Sequence, residues 1–324
     1  MKILKAAPII CLLASLAFVL SACGDNGGDT MNKPELGAYT VNTRIADVMS
    51  DPAFDGYGRL LFPVQRGYMS GDTLGSLSLT WYSYMNPDET VGIANTLRER
   101  ALAGETIFYD IYTDAEKSAD PAKEDTGLFF FRGRAGAPFA ICSAGGAFAY
   151  VGAMADSFPQ ALELSRRGYN AFALIYRPGA QTACEDLARA ISFIFENAQE
   201  LDVGTGCYSL WGGSAGARMA AWLGSYGPAA FGGDNLPRPG TVIMQYTGHS
   251  DYTPDDPPTF ACVGDSDWIA DWRTMQRRLQ HLSALGIPTE FHCYPGLGHG
   301  FGLGTGTAAE GWLDDAVNFW EAQM

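Results

Sequence analysis

Positive charge is what this sequence most lacks. Its 21 Lys and Arg face 36 Asp and Glu, a net charge of −15 at pH 7. The figure becomes −17 once Lys2 and Lys5 are set aside with the leader described below. So acidic a body argues against a nucleic-acid partner, and against holding an anionic membrane by a basic patch. Long apolar runs are missing too: the run over residues 6–19 falls short of the ~20 residues that a spanning helix needs. The 7 cysteines show no Cys-x-x-Cys spacing. Setting aside Cys11 and Cys23 leaves Cys142, Cys184, Cys207, Cys262 and Cys293, an odd number sitting mostly on apolar runs, where cysteine packs as a small hydrophobe. That pattern points to free, packed thiols rather than a disulfide framework or a zinc site, and no metal or cofactor is expected. With no repeat and no low-complexity tract, the remainder reads as an ordinary globular chain.

What is present begins with a leader. Lys2 and Lys5 form a basic start, residues 6–19 an apolar stretch, and Leu20-Ser21-Ala22-Cys23 looks like a bacterial lipobox. Residues 1–22 are therefore expected to be a lipoprotein signal peptide, with Cys23 the lipidated first residue of the mature chain. Residues 23–38, polar and glycine-rich, read as a flexible tether. Each buried acyl CH₂ contributes ~0.8 kcal/mol, so several chains on one cysteine would hold the protein on a membrane. The expected location is that of an exported lipoprotein at a bacterial membrane or cell surface.

From about residue 126 apolar runs alternate with amphipathic helical patterns. The strand-like runs are 128–131, 139–142, 170–176, 207–211, 241–246, 259–263 and 290–294, and the helical ones 158–167, 184–197, 215–224, 271–285 and 308–323. Near-continuous apolar strands between such helices imply an α/β fold, a mostly parallel sheet covered on both faces. Residues 39–104 are expected to form an N-terminal extension packed on the core, with a helix over 87–103, and residues 105–324 the main domain, with a first strand within 105–112. Residues 77–83, aromatic and β-branched in part, suit buried packing better than a sugar platform.

Gly212-Gly213-Ser214-Ala215-Gly216 sits between an apolar run and a helical one. Strand, glycine-bracketed serine and helix make the setting of a nucleophile elbow, where a sharp turn lifts one hydroxyl above the sheet. A serine hydroxyl needs a base to take its proton and an acid to orient the base. Both follow in order at later strand ends. Run 259–263 leads into Gly264-Asp265-Ser266-Asp267, and run 290–294 into a glycine-rich loop holding His299. Open α/β sheets place their sites at such carboxyl ends. Among the 4 histidines, His281 lies in a helical run, His292 within a strand, and His249 is the rival to His299 as base. Asp267, three residues past Gly264, suits the acid better than Asp265, which suits bracing the turn. A developing oxyanion needs backbone N–H donors. Ala215 follows the serine directly, and the glycine-rich segment 142–148 follows an earlier strand.

Taken together, residues 127–324 resemble the α/β-hydrolase superfamily, and within it are most similar to esterases of the acetyl-xylan and feruloyl type and the hormone-sensitive-lipase-like group. The resemblance is carried by Ala144-Gly145-Gly146-Ala147-Phe148, Tyr176-Arg177-Pro178, the elbow, Pro258-Thr259-Phe260 leading to Gly264 and Asp267, and His299-Gly300-Phe301. It implies Ser214 as nucleophile, His299 as base, Asp267 as orienting acid, and Gly146, Ala147 and Ala215 as oxyanion-hole donors. The implied activity is hydrolysis of a small-molecule or carbohydrate ester through an acyl-enzyme. A prolyl-oligopeptidase-type peptidase and a non-catalytic binding protein are the alternatives. Two departures stand out. Ala144 and Ala147 replace a histidine or proline and a glycine of the pattern, and an alanine donor there requires an ordinary φ. Only residues 247–258 precede the acid-bearing strand, too few for an inserted cap, so the extension is expected to wall the substrate pocket.

Overall fold

The computed structural model describes residues 37–324, of which 38–324 form one compact unit. The leader, Cys23 and most of the tether lie outside the described residues.

Eight strands make one sheet: β1 (Phe108–Tyr109), β2 (Gly127–Phe131), β3 (Pro138–Ser143), β4 (Asn170–Ile175), β5 (Gly204–Gly213), β6 (Thr241–Gln245), β7 (Thr259–Gly264) and β8 (Thr289–Tyr294). Their spatial order is β8-β7-β6-β5-β3-β4-β2-β1. Strands β3 to β8 run parallel, β2 pairs antiparallel with β4, and β1 antiparallel with β2. Every residue of β2, β4, β6 and β7 is buried. That is why they read as continuous rather than alternating apolar runs: helices cover both faces and leave no wet side to mark with polar residues.

The long helices are α1 (Pro87–Leu102), α2 (Phe158–Arg166), α3 (Ala180–Glu196), α4 (Ala215–Tyr226), α5 (Trp272–Ala284) and α6 (Trp312–Glu321). Helix α1 starts where sequence chemistry says it should: the Asn86 side chain accepts from the Asp88 and Glu89 N–H groups, and Pro87 needs no donor at the first position. The expected strand over 105–112 shrinks to two residues, because this edge meets only β2 and has no second neighbour to extend its ladder. Conversely β5 reaches ten residues, starting before the apolar run, since Gly204 already pairs with Pro138.

Ahead of α1, residues 38–86 hold a short helix (Ile45–Met49), several single turns and a two-residue ladder, and so show no clear period in sequence. Their apolar side chains, among them Val48, Phe54, Leu61 and Leu79, join the same buried cluster as the sheet residues Leu128 to Phe131. No inserted domain separates β6 from β7; among the described residues the link is a loop.

The chain leaves β3 to form β4 on one side and returns to form β5 on the other. A reversal of this kind opens a crevice at the strands' carboxyl ends. The pairing of Ser143 with Gly212, and of Gly213 with Gln245, brings the ends of β3, β5 and β6 level there.

Candidate active site

Ser214 occupies the turn between β5 and α4, with φ 51° and ψ −112°, a left-handed conformation that L-residues rarely adopt. Its own N–H donates to the Gln245 carbonyl at 3.0 Å, which ties the turn to β6. The flanking glycines have a direct steric reason. A Cβ on Gly216 would overlap the Ser143 carbonyl, and one on Gly212 would overlap the backbone of Gly216. Only bare backbone lets α4 start this close to β3.

His299 lies in the loop after β8, with Nδ1 2.7 Å from Asp267 Oδ2 and Nε2 3.1 Å from Ser214 Oγ. A carboxylate can only accept, so Nδ1 carries the proton and Nε2 is left to receive one from the serine. The Asp267 side chain is fully buried, and its second oxygen accepts the N–H groups of Ile269 and Ala270, each at 2.8 Å. Asp265 does the other job: Oδ1 accepts the Gly296 N–H at 2.7 Å and braces the turn beneath His299.

The other histidines stand apart from this chain of contacts. Exposed His281 stacks on Tyr252, and His292 reaches Glu290 on the same face of β8. His249 is buried against Trp222, and burial, followed by the charges of Arg278 and Arg218, pushes its pKa down to about 3.

Beside Ser214 is a pocket of about 250 Å³. Ala147, Phe148, Ile269 and Ala270 give it apolar lining, and Arg218, Thr247, Ala215 and Tyr246 line it as well. Ala147 and Ala215 thus meet Ser214 at one cavity, while Gly146 sits one residue back and does not line it. Among the described residues no protein acceptor takes the N–H of Gly146 or Ala147. Ala147 has φ 54° and Phe148 φ 60°, so the ordinary φ set above as the condition for an alanine donor is not met. The loop is clamped from behind instead: Gly152 N–H donates to the Gly145 carbonyl and Gly179 N–H to that of Phe148. Holding alanine there costs ~1–2 kcal/mol, strain of a kind that collects at functional sites.

Residues 39–104 contribute nothing to this pocket's lining. They brace its loops, and residues 83–87 wall a separate cavity of about 320 Å³ with Phe301, Leu303 and Gly304 of the loop after His299. Tyr82 packs against Gly145, Gly152 and Gly300, and the Tyr84 hydroxyl accepts the Gly298 N–H at 3.4 Å. A larger cavity of about 490 Å³, lined by Tyr57, Arg59 and Glu105 among others, lies at the β1 edge and holds none of these groups. Among the described residues no three His, Cys, Asp or Glu side chains are grouped to hold a metal ion, and no helix is long and apolar enough to cross a membrane.

Sequence reasoning missed the group that joins these parts. Asp156 is 1% exposed and accepts from the Tyr82 hydroxyl (2.8 Å), the Gly145 N–H (2.7 Å) and the Tyr246 hydroxyl (2.5 Å). Tyr246 in turn packs its ring edge-on against His299. One carboxylate therefore ties the extension, the Gly145 loop and the β6 end together. Burial pushes its pKa up from 3.8 to about 6, with the three hydrogen bonds opposing the rise. A carboxyl raised in the folded state contributes stability that is full below its unfolded pKa and is lost as pH rises through the folded one. Wild type should therefore lose on the order of 2–3 kcal/mol relative to Asp156→Asn between about pH 4 and pH 7, since the amide cannot ionise. Denaturant melts across that window check this, and parallel pH profiles for the two proteins would contradict it.

Comparison with known proteins follows this geometry. A family model described as BD-FAE matches residues 132–235, the stretch from the end of β2 past α4. No curated protein matches. Many solved structures do. An acetyl ester-xyloside bifunctional hydrolase from Caldicellulosiruptor lactoaceticus is 20% identical, over 66% of this chain and 95% of that one, with a TM-score of 0.57. An α/β-hydrolase enzyme from a Medee basin deep-sea metagenome library is 21% identical, over 61% and 92%, at 0.52. A thermophilic esterase from the Planctomycetes species Thermogutta terrifontis is 20% identical, over 61% and 89%, at 0.52. The chain has the α/β-hydrolase fold.

Proposed function

We propose that this protein is a serine carboxylic-ester hydrolase working through an acyl-enzyme. The observation that carries the reading is His299, in reach of the Ser214 hydroxyl through one ring nitrogen and of a buried Asp267 carboxylate through the other. In the first half-reaction Oγ attacks the ester carbonyl as its proton passes to Nε2. The negative charge that develops on the carbonyl oxygen faces the N–H of Ala215, the first donor of α4, and that of Ala147, with Gly146 behind it. Collapse expels the alcohol, which takes the proton from His299. Water then repeats the sequence against the acyl-serine, and its proton passes through the same nitrogen.

The substrates we assign are acyl esters of sugars or of small exogenous alcohols. Their support is the BD-FAE match and the esterase and acetyl ester names of structural neighbours. Cys23 as a lipid anchor belongs to the same reading, supported by the Leu20-Ser21-Ala22-Cys23 motif. Mass spectrometry of the mature N-terminus tests it.

A paired panel tests the chemistry. 4-Nitrophenyl acetate should be hydrolysed with a burst of nitrophenol equal to the enzyme present, the mark of an acyl-enzyme. The matching peptide 4-nitroanilides should stay intact. Cleavage of the anilides without the ester would move the reading to a peptidase, and inertness to both would remove it.

A further inference from the structure

Arg218 stands one helical turn beyond Ser214 on α4, and its side chain lines the pocket beside the serine. Its guanidinium lies against Gly248, where a Cβ would come within 3.6 Å of Nη2. Arg218 is half-buried, and it shares with Arg66, Arg100, Arg132, Arg134 and Arg277 the lack of an ion pair among the described residues, whereas other arginines of this chain are paired. Arg278 pairs with Asp256, Arg177 with Asp186 and Asp120, and Arg98 with Asp51. Arg218 has no carboxylate partner among the described residues, although acids outnumber bases 36 to 21 across the chain. What sets Arg218 apart is its place: a cation in the lining of the pocket beside Ser214, with no carboxylate of this chain against it, is positioned to meet an anionic group of a ligand.

Thr247 also lines the pocket, is 2% exposed, and its hydroxyl has no hydrogen-bond partner. Behind it His249 Nε2 is likewise buried and unpartnered. Phe148, Ile269 and Ala270 add apolar surface to the lining, and Phe148 is held by stacking on Trp222. The lining thus combines one cation with apolar surface, and it suits a group with a hydrocarbon or ring body and an anionic tip.

We infer that this pocket selects esters carrying a carboxylate, bound by the Arg218 guanidinium. The inference rests on the hydrolase reading above and names its substrate class. The carboxylate can reach Arg218 from the acyl side, as in half-esters of dicarboxylic acids, or from the alcohol side, as in acylated acidic sugars. The recognised chemistry is the same in both.

Two matched pairs of esters separate these sources. Mono-4-nitrophenyl glutarate against 4-nitrophenyl valerate reads the acyl side, and 4-acetoxybenzoate against 4-acetoxybenzamide reads the alcohol side. In the wild-type protein one pair should show a kcat/KM ratio favouring the anion by roughly 10- to 100-fold, the span expected for hydrogen bonds to a charged group. High salt should reduce that ratio. Arg218→Gln should bring it close to one, Arg218→Lys should retain part of it, and Arg218→Glu should invert it. Hydrolysis of the neutral esters with no anion preference in either pair would overturn the inference and leave the ester hydrolase standing. A preference that survives Arg218→Gln and Arg218→Glu would overturn the role of Arg218. Failure to hydrolyse any of the four, with no covalent labelling of Ser214, would remove the hydrolase reading and this inference with it.

Discussion

Ser214→Ala should lower kcat on an activated ester by roughly 10⁴- to 10⁶-fold, the range seen when a triad nucleophile is removed. Little stability should go with it. Ser214 Oγ has His299 Nε2 as its one hydrogen-bond partner, and the Ser214 N–H bond to Gln245 does not involve the side chain. Alanine keeps the Cβ and meets the same backbone at φ 51°, so the turn holds at similar cost. The pocket with Ala147 and Ala215 stays intact, and a residual rate above that in water is expected from those donors. Steady-state kinetics with a denaturant melt on the same preparation checks both halves. A variant that keeps more than a tenth of the activity would show that another group attacks the ester.

Asp267→Asn should cost about 10⁴-fold in kcat, the scale of the corresponding change in serine proteases, and here the local hydrogen bonds give a specific reason. One Asp267 oxygen accepts the N–H groups of Ile269 and Ala270, and the other faces His299 Nδ1. An asparagine must turn its carbonyl oxygen to the two backbone donors, which leaves its NH₂ pointing at Nδ1. That nitrogen then has to accept, the ring proton moves to Nε2, and the histidine offers Ser214 a donor where a base is needed. Geometry is preserved and the tautomer is wrong. A pH–rate profile is the discriminating readout, because deprotonation of the ring or of the attacking group at high pH should recover part of the loss. Equal losses at all pH values would point to a collapsed loop instead.

The parallel sheet was legible because burial on both faces makes its strands continuous apolar runs, with glycine-rich loops at their carboxyl ends. Ser214, Asp267 and His299 stand at three of those ends, so their order along the chain was enough to bring them forward as a set. What was hidden depends on contacts between distant segments. Asp156 meets Tyr82 across 74 residues and Tyr246 across 90, and in sequence it is one acid in an apolar stretch. The positive φ of Ala147 was hidden for a related reason, since it is imposed by clamps from Gly152 and Gly179 rather than by its own residue type. Residues 39–86 show no period because they form one short helix and single turns fitted against the sheet, and their bracing of the His299 loop through Tyr82 and Tyr84 appears only in three dimensions. Arg218 reads in sequence as one more helical cation. Its place in the pocket is set by the loops after β6 and β7.

The central claim is that Ser214 is the activated nucleophile. A fluorophosphonate probe, which bonds only to a serine whose proton is taken by a base, tests it most directly when followed by peptide mass mapping. The account expects one adduct per chain, on the peptide holding Ser214, and none on Ser214→Ala. A folded wild-type protein that takes no adduct, or takes it at another residue while Ser214 stays free, would contradict it.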